Sequence, residues 1–302
     1  MSLSFPVTRS RGLADKPRGR LHARIIKFAR LARRVLRHPI GRIGGVPLLV
    51  IVLMAAAAPI LPLQDPVDQN LSARLLEPSW QHWFGTDSLG RDILSRVVFG
   101  ARPTLFIVAV VLLLSAPFGL VVGAAAGVIG GSVDRIAMRI GDVFMAFPRL
   151  VLALAIAAAV GTGASTAILA IALTGWPIYA RLARSEAVGF ARSEFVQAAE
   201  TIGASRARII FHHIVPLCVP SILVRAALDA PGIILITAGL GFLGLSLPPP
   251  NPEWGAMVAD GRAVIFEQWW VATIPGLFIL VLSLSFNLIG DALRDALSPE
   301  GP

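Results

Sequence analysis

The chain has 302 residues, with 27 Lys and Arg against 18 Asp and Glu (net charge +9); 55% of its residues are hydrophobic and 15% charged. Soluble domains carry about 25% charge, and with a mean hydropathy of +0.74 no water-soluble fold of this size hides so much apolar surface, so the composition describes a polytopic membrane protein. Disorder, collagen and a disulfide scaffold are excluded on the same grounds; the single cysteine, Cys218, lies in an apolar run and reads as a small core residue.

The positive charge is concentrated at one end. Residues 1–42 hold 12 of the Lys and Arg residues, with Asp15 the only acid, and the remaining 260 residues carry 15 basic and 17 acidic groups. A basic tail beside an apolar segment is explained by anionic lipid and the positive-inside rule, which argues against nucleic acid as a partner. Its length separates it from a secretory signal, so it reads as an uncleaved signal-anchor. Within it, Leu21, Ile25, Phe28, Leu31, Val35 and Leu36 recur at helical spacing, as in a helix lying on the membrane surface; a plain positive-inside tail fits equally well.

Apolar stretches then mark six crossings in chain order: 43–63, 103–133, about 142–160, about 164–181, about 216–245 and about 270–289, each near the ~20 residues a bilayer requires. The third and fourth share one uncharged run and are divided at Gly161, Thr162 and Gly163. With six spans, the tails and segments 130–142 and 181–215 lie on one side with 20 Lys and Arg residues, against five on the other. That asymmetry predicts cytoplasmic termini, with Trp80, Trp83, Trp269 and Trp270 at the outer interface. The expected organisation is a basic tail (1–42), a first transmembrane helix (43–63), an extracytoplasmic segment (64–101), a five-helix core (102–291) containing a cytoplasmic loop at 181–215, and a C-terminal tail (292–302).

That 35-residue loop exceeds what a chain reversal needs. It reads as two short helices jointed at Gly203, which suits a left-handed helix end, with Ser205 capping the second. Ala198 and Ala199 allow another backbone to approach, Phe195, Val196 and Ile202 offer apolar contact, and Glu194 and Glu200 offer charge. A docking surface and a solvated amphipathic hairpin both fit these residues.

The run Glu194, Ala198, Ala199, Gly203, Ala204, Ser205, followed by Ile209, His213, Ile214 and Pro216, resembles the EAA loop of bacterial ABC importer permeases. Phe84-Gly85-Thr86-Asp87-Ser88-Leu89-Gly90-Arg91-Asp92 resembles the segment after the first span of dipeptide, oligopeptide and nickel permeases. Trp176-Pro177, Tyr179-Ala180-Arg181, Phe242-Leu243-Gly244-Leu245, Pro252-Glu253-Trp254-Gly255 and Asn287-Leu288-Ile289-Gly290-Asp291 extend that likeness over about residues 35–297. The pattern is similar to the second, C-type permease subunit; Gly241 and Ser246 depart from it, standing where the family usually has Ser and Gly.

The resemblance implies an all-α membrane protein with the type I ABC importer permease fold, in the bacterial plasma membrane. Di- or oligopeptides would be its cargo, with a nickel chelate, glutathione or an opine as alternatives. It further implies that Glu194, Ala198, Ala199, Gly203, Ala204 and Ser205 form the coupling helix region seated on an ATPase. The implied partners are a second permease subunit, two ATPases that bind ATP and Mg, and an extracytoplasmic solute-binding protein. The chain carries no P-loop of its own, since its only lysines are Lys16 and Lys27, and it is not expected to be an enzyme.

Intramembrane charge marks the expected transport path. Arg225 and Asp229, four apart on the fifth span, are expected to pair along one helix face, and Arg149 to snorkel toward the cytoplasm. The small residues of the second span, among them Gly119, Gly123 and Gly127, read as helix packing ahead of a flexible gate. Asp87, Gly90 and Asp92 read as turn and helix-start residues before an amphipathic stretch at the interface, and Trp254 as the anchor of a proline-stiffened re-entry loop. Contact of either outer segment with a solute-binding protein is the other reading. Adjacent His212 and His213 diverge on a helix and do not chelate together. A secondary carrier would need coupling acids in its spans, where only Asp229 qualifies, and a channel would not need the glycine-jointed loop.

Overall fold

A computed structural model describes residues 34–36 and 38–297, so most of the basic tail, including its amphipathic stretch, and residues 298–302 lie outside the described part. The described residues are mainly helical and form no strand, and an isolated Thr86–Asp92 bridge is the one extended pairing among them. Nine helices organise it: α1 Pro39–Ala57, α2 Ile93–Ile129, α3 Gly131–Met145, α4 Arg149–Val160, α5 Ala164–Ala191, α6 Glu194–Thr201, α7 Arg206–Phe242, α8 Trp254–Gly261 and α9 Trp270–Leu297. Helix α7 contains a π-helical segment, Ile209–Ile214.

Five helices (α1, α2, α5, α7 and α9) are long and apolar enough to cross a membrane, and α3 with α4 makes a sixth if the bent pair counts as one span. The expected third span, about 142–160, falls on this bent pair. Its chain turns through 89° between Met145 and Arg149, because Pro148 drives the residue before it out of helical geometry. Helix α4 has 12 residues, about 18 Å of rise, which falls short of a ~30 Å hydrocarbon core.

Other boundaries also move for local reasons. Helix α1 starts with Pro39 in its first turn and ends at Ala57 ahead of Pro59, six residues short of the expected limit at Leu63. Helix α2 begins at Ile93 because Asp92 caps it, accepting from Ser95 N at 2.8 Å. The expected interfacial stretch after Asp92 is therefore the first turns of a 37-residue span. Helix α9 runs on to Leu297, past the expected end of the core.

The centre is the seam between α2 and α5, built by backbone approach. A Cβ on Gly119 would lie 2.5 Å from Trp176 O, and one on Gly123 would lie 2.1 Å from Ala180 O. These glycines, one turn apart, face the buried Tyr179, Ala180 and Ala183, an arrangement that lets helices pack closely without a hydrophobic driving force. Two ion pairs, Arg184–Asp134 and Arg181–Asp142, tie α3 to α5.

Candidate functional site

Helix α6 and the start of α7 form a jointed hairpin at the end of α5. Gly203 adopts φ +83°, a conformation open to glycine at little cost, and ends α6 with its N–H donated to Glu200 O at 2.9 Å. Ser205 then caps the next helix, accepting from Arg208 N. Helix α6 and Ile202, which follows it, divide by face. Val196 (1% exposed) and Ala199 (9%) are buried, Val196 among Tyr179, Ala183, Ile209, Ile210 and Ile214, whereas Ile202 (86%) and Ala198 are exposed, as is Phe195. Ala199 and Val196 therefore face their own chain; the open surface is made by Glu194, Phe195, Ala198 and Ile202. The Phe195 ring lies 6.3 Å from that of His213, joining the open face of α6 to the π segment. Such π segments are frequent where helices carry function.

The interior charges are arranged differently from their expected pairing. Asp229, buried on α7, accepts from Arg149 Nη1 at 2.7 Å and from Tyr179 Oη at 2.9 Å, and does not pair with Arg225. Arg149 does not snorkel. It opens α4, immediately after the bend, and its guanidinium crosses Gly175 of α5, where a Cβ would meet Nη2 at 2.6 Å. One carboxylate thus joins α4, α5 and α7. Arg225 keeps its buried Nε without a hydrogen-bond partner. The sequence reading had Tyr179 only within a family-like motif and missed its bond to Asp229, although a signal was available: it is the only tyrosine of the chain, set in a long uncharged run.

The opposite end is a polar cap, where Asp87, Gly90 and Asp92 take the turn and helix-start positions expected of them. Asp87 accepts from the backbone of Leu89 and Arg91 and from Arg91 Nε at 2.6 Å, while His82 Nδ1 lies 3.0 Å from Asp92. Trp254 is 1% exposed and donates Nε1–H to Val97 O at 2.9 Å, anchoring α8 on α2 from within the protein. Trp270 is likewise buried, whereas Trp80, Trp83 and Trp269 are exposed. Glu253 caps α8, accepting from Gly255 N and Ala256 N, and burial pushes its carboxyl up to about 7. No cluster of three metal-ligating side chains occurs among the described residues.

Together these features define a helical protein with five or six membrane-spanning candidates, a jointed hairpin at one end of its bundle and a tied polar cap at the other. Residues 119–300 match the family described as binding-protein-dependent transport system inner membrane component, and residues 27–78 match the N-terminal transmembrane domain of oligopeptide transport permease C. The chain is 43% identical over 272 residues to a probable D,D-dipeptide transport system permease of Escherichia coli K12, covering 90% of this chain and 91% of that one. It is 40% identical over 268 residues to a dipeptide transport system permease of Alkalihalophilus pseudofirmus (89% and 88% covered). A nickel transport system permease of Escherichia coli K12 is 44% identical over 236 residues (78% and 85%). This chain belongs to the family of inner-membrane permease subunits of binding-protein-dependent ABC importers, in its peptide and nickel branch. It is a multi-pass inner-membrane transport subunit and not itself an enzyme.

Proposed function

We propose that this chain is the permease subunit through which di- or oligopeptides enter the cell, driven by ATPases docked on the α6 hairpin. The observation that carries the docking reading is the division of α6. A side chain as apolar as Ile202, 86% exposed at the end of a helix whose other face is sealed against α5 and α7, is suited to a partner's groove. The docking set is Glu194, Phe195, Ala198 and Ile202, with Gly203, Ala204 and Ser205 shaping the joint and Ala199 holding the helix to its own bundle. Closure of two ATPases would move α6, and Val196 and Ala199 would pass that motion through the π segment into α7, which carries Arg225 and Asp229. ATP and Mg belong to those partners.

In this reading both termini are cytoplasmic, 64–101 is extracytoplasmic and the core spans 102–291. The path runs past Arg149, Arg225 and Asp229 toward a second, related permease, and a solute-binding protein delivers cargo at the polar cap. Peptide cargo is supported by the two relatives whose names carry dipeptides. A nickel chelate is the second reading, favoured by the 44% identity to a nickel permease.

Detergent extraction of the tagged chain from its own membrane, with partners identified by mass spectrometry, tests the proposal. Two ATPases and a distinct permease are expected, and the co-purifying binding protein is then titrated with dialanine and with nickel. A complex containing only copies of this chain would overturn the proposal.

A further inference from the structure

A cavity of about 400 Å³ opens between the C-terminal half of α5, the middle of α7 and the end of α9. Its wall carries Arg225, Arg294 and Glu186 among Leu182, Val224 and Leu228. No two of the three charged groups form an ion pair with each other, and none pairs with another charged side chain of the described residues. Arg225 Nε and Glu186 Oε2 are buried without hydrogen-bond partners; Glu186 lies beside the Cys218 thiol, a weak donor.

Arg294 is exposed near the end of α9, whereas Arg225 and Glu186 are half-buried between helices, where a polar atom left without a bond is costly. Arg149 and Asp229 differ in bonding directly to each other, although Arg149 Nε and Nη2 are also without partners. Arg225, Arg294 and Glu186 are instead held apart around an open volume within the range of small-ligand sites, about 300–1,000 Å³. A simple anion would leave Glu186 uncompensated, and a simple cation would leave both arginines so. A molecule carrying an anionic group and an ammonium satisfies all three.

We infer that this cleft binds a small zwitterion, its anionic group between Arg225 and Arg294 and its ammonium at Glu186. The apolar wall takes the adjoining hydrocarbon. Two sources share that chemistry: the termini of a short peptide in transit, and the headgroup of phosphatidylethanolamine. The first source rests on the peptide-importer reading above; the second does not.

The test uses the whole importer complex in proteoliposomes containing phosphatidylethanolamine, with dialanine as the transported probe. In parallel, native mass spectrometry of the complex counts retained phosphatidylethanolamine. Arg225→Gln and Glu186→Gln should each lower one of these two readouts by about tenfold, the loss of one charge-assisted bond, while Arg225→Lys retains most of it. ATPase co-purification serves as the check that the variants assemble. Loss of dialanine uptake alone assigns the cleft to cargo, and loss of bound lipid alone assigns it to the headgroup. If both readouts are unchanged in correctly assembled variants, the inference is overturned. A wild-type complex that lacks ATPases or ignores dialanine would defeat the importer reading instead, and the lipid count would still decide the cleft.

Discussion

Arg149, the first residue of the short helix α4, donates to Asp229 of α7 across 2.7 Å, and Tyr179 of α5 donates to the other oxygen of the same carboxylate. The carboxylate is buried between helices, so removing it leaves the Arg149 guanidinium without a counter-ion in a mostly buried place. Asp229→Asn should therefore cost about 3–5 kcal/mol, most of it recovered when Arg149→Gln is added. Tyr179→Phe removes one hydrogen bond and should cost about 1–3 kcal/mol. Thermal unfolding of the three variants in detergent checks the order, and a double variant no better than Asp229→Asn would show that the pair is not the unit.

The two faces of α6 predict a contrast between neighbours. Ala198→Arg and Ile202→Asp alter the open face and should reduce ATPase co-purification by about tenfold with little change in thermal midpoint. Ala199→Arg forces a long cation into the seam with the chain's own bundle and should lower the midpoint as well. Equal midpoints for Ala198→Arg and Ala199→Arg would contradict the division.

Glu253 gives stability a pH dependence of defined sign. Burial pushes its carboxyl up to about 7, against the opposing N–H groups of Gly255 and Ala256. A raised carboxyl binds more protons folded than unfolded, so its contribution is fully present below the unfolded value of 4.5 and is lost as pH rises through about 7. Thermal midpoints measured from pH 5.5 to 8 should fall for the wild type relative to Glu253→Gln. Parallel curves would remove Glu253 as the titrating group.

A Cβ on Gly241 would lie 1.6 Å from Glu253 Oε2, the end of a flexible side chain that would have to swing aside. Gly241→Ser should displace that carboxylate from its cap on α8 and cost about 1–3 kcal/mol. Glu253→Ala in the same chain should relieve the clash and reduce the difference, as judged by thermal unfolding of the single and double variants.

The membrane class, the positions of most spans and the jointed hairpin are local properties, and all were legible in the residues. Apolar run length sets a crossing, an Asp or Ser before a helix caps it, and a glycine at Gly203 ends one. These depend on a few neighbouring residues, so chain order suffices to read them. The departures are also physical. Helix α2 starts early because its Asp92 cap wins over hydropathy, and Pro148 breaks the third span although the surrounding residues are apolar enough to continue.

Residues distant in sequence decided the rest. Arg225 and Asp229 satisfy the helical spacing for a pair, yet Asp229 takes Arg149, 80 residues away, because the α4 bend delivers that guanidinium over the bare backbone of Gly175. Ala198 and Ala199 are the same residue type side by side, and only the packing of α6 on α5 and α7 makes one a surface and the other a core contact. Sequence alone determined that this is a membrane-spanning subunit and what each segment is able to form. Which charges meet, which face stays open and where a cavity remains are set by helix-to-helix registration, a sum of many weak long-range contacts that no local pattern encodes.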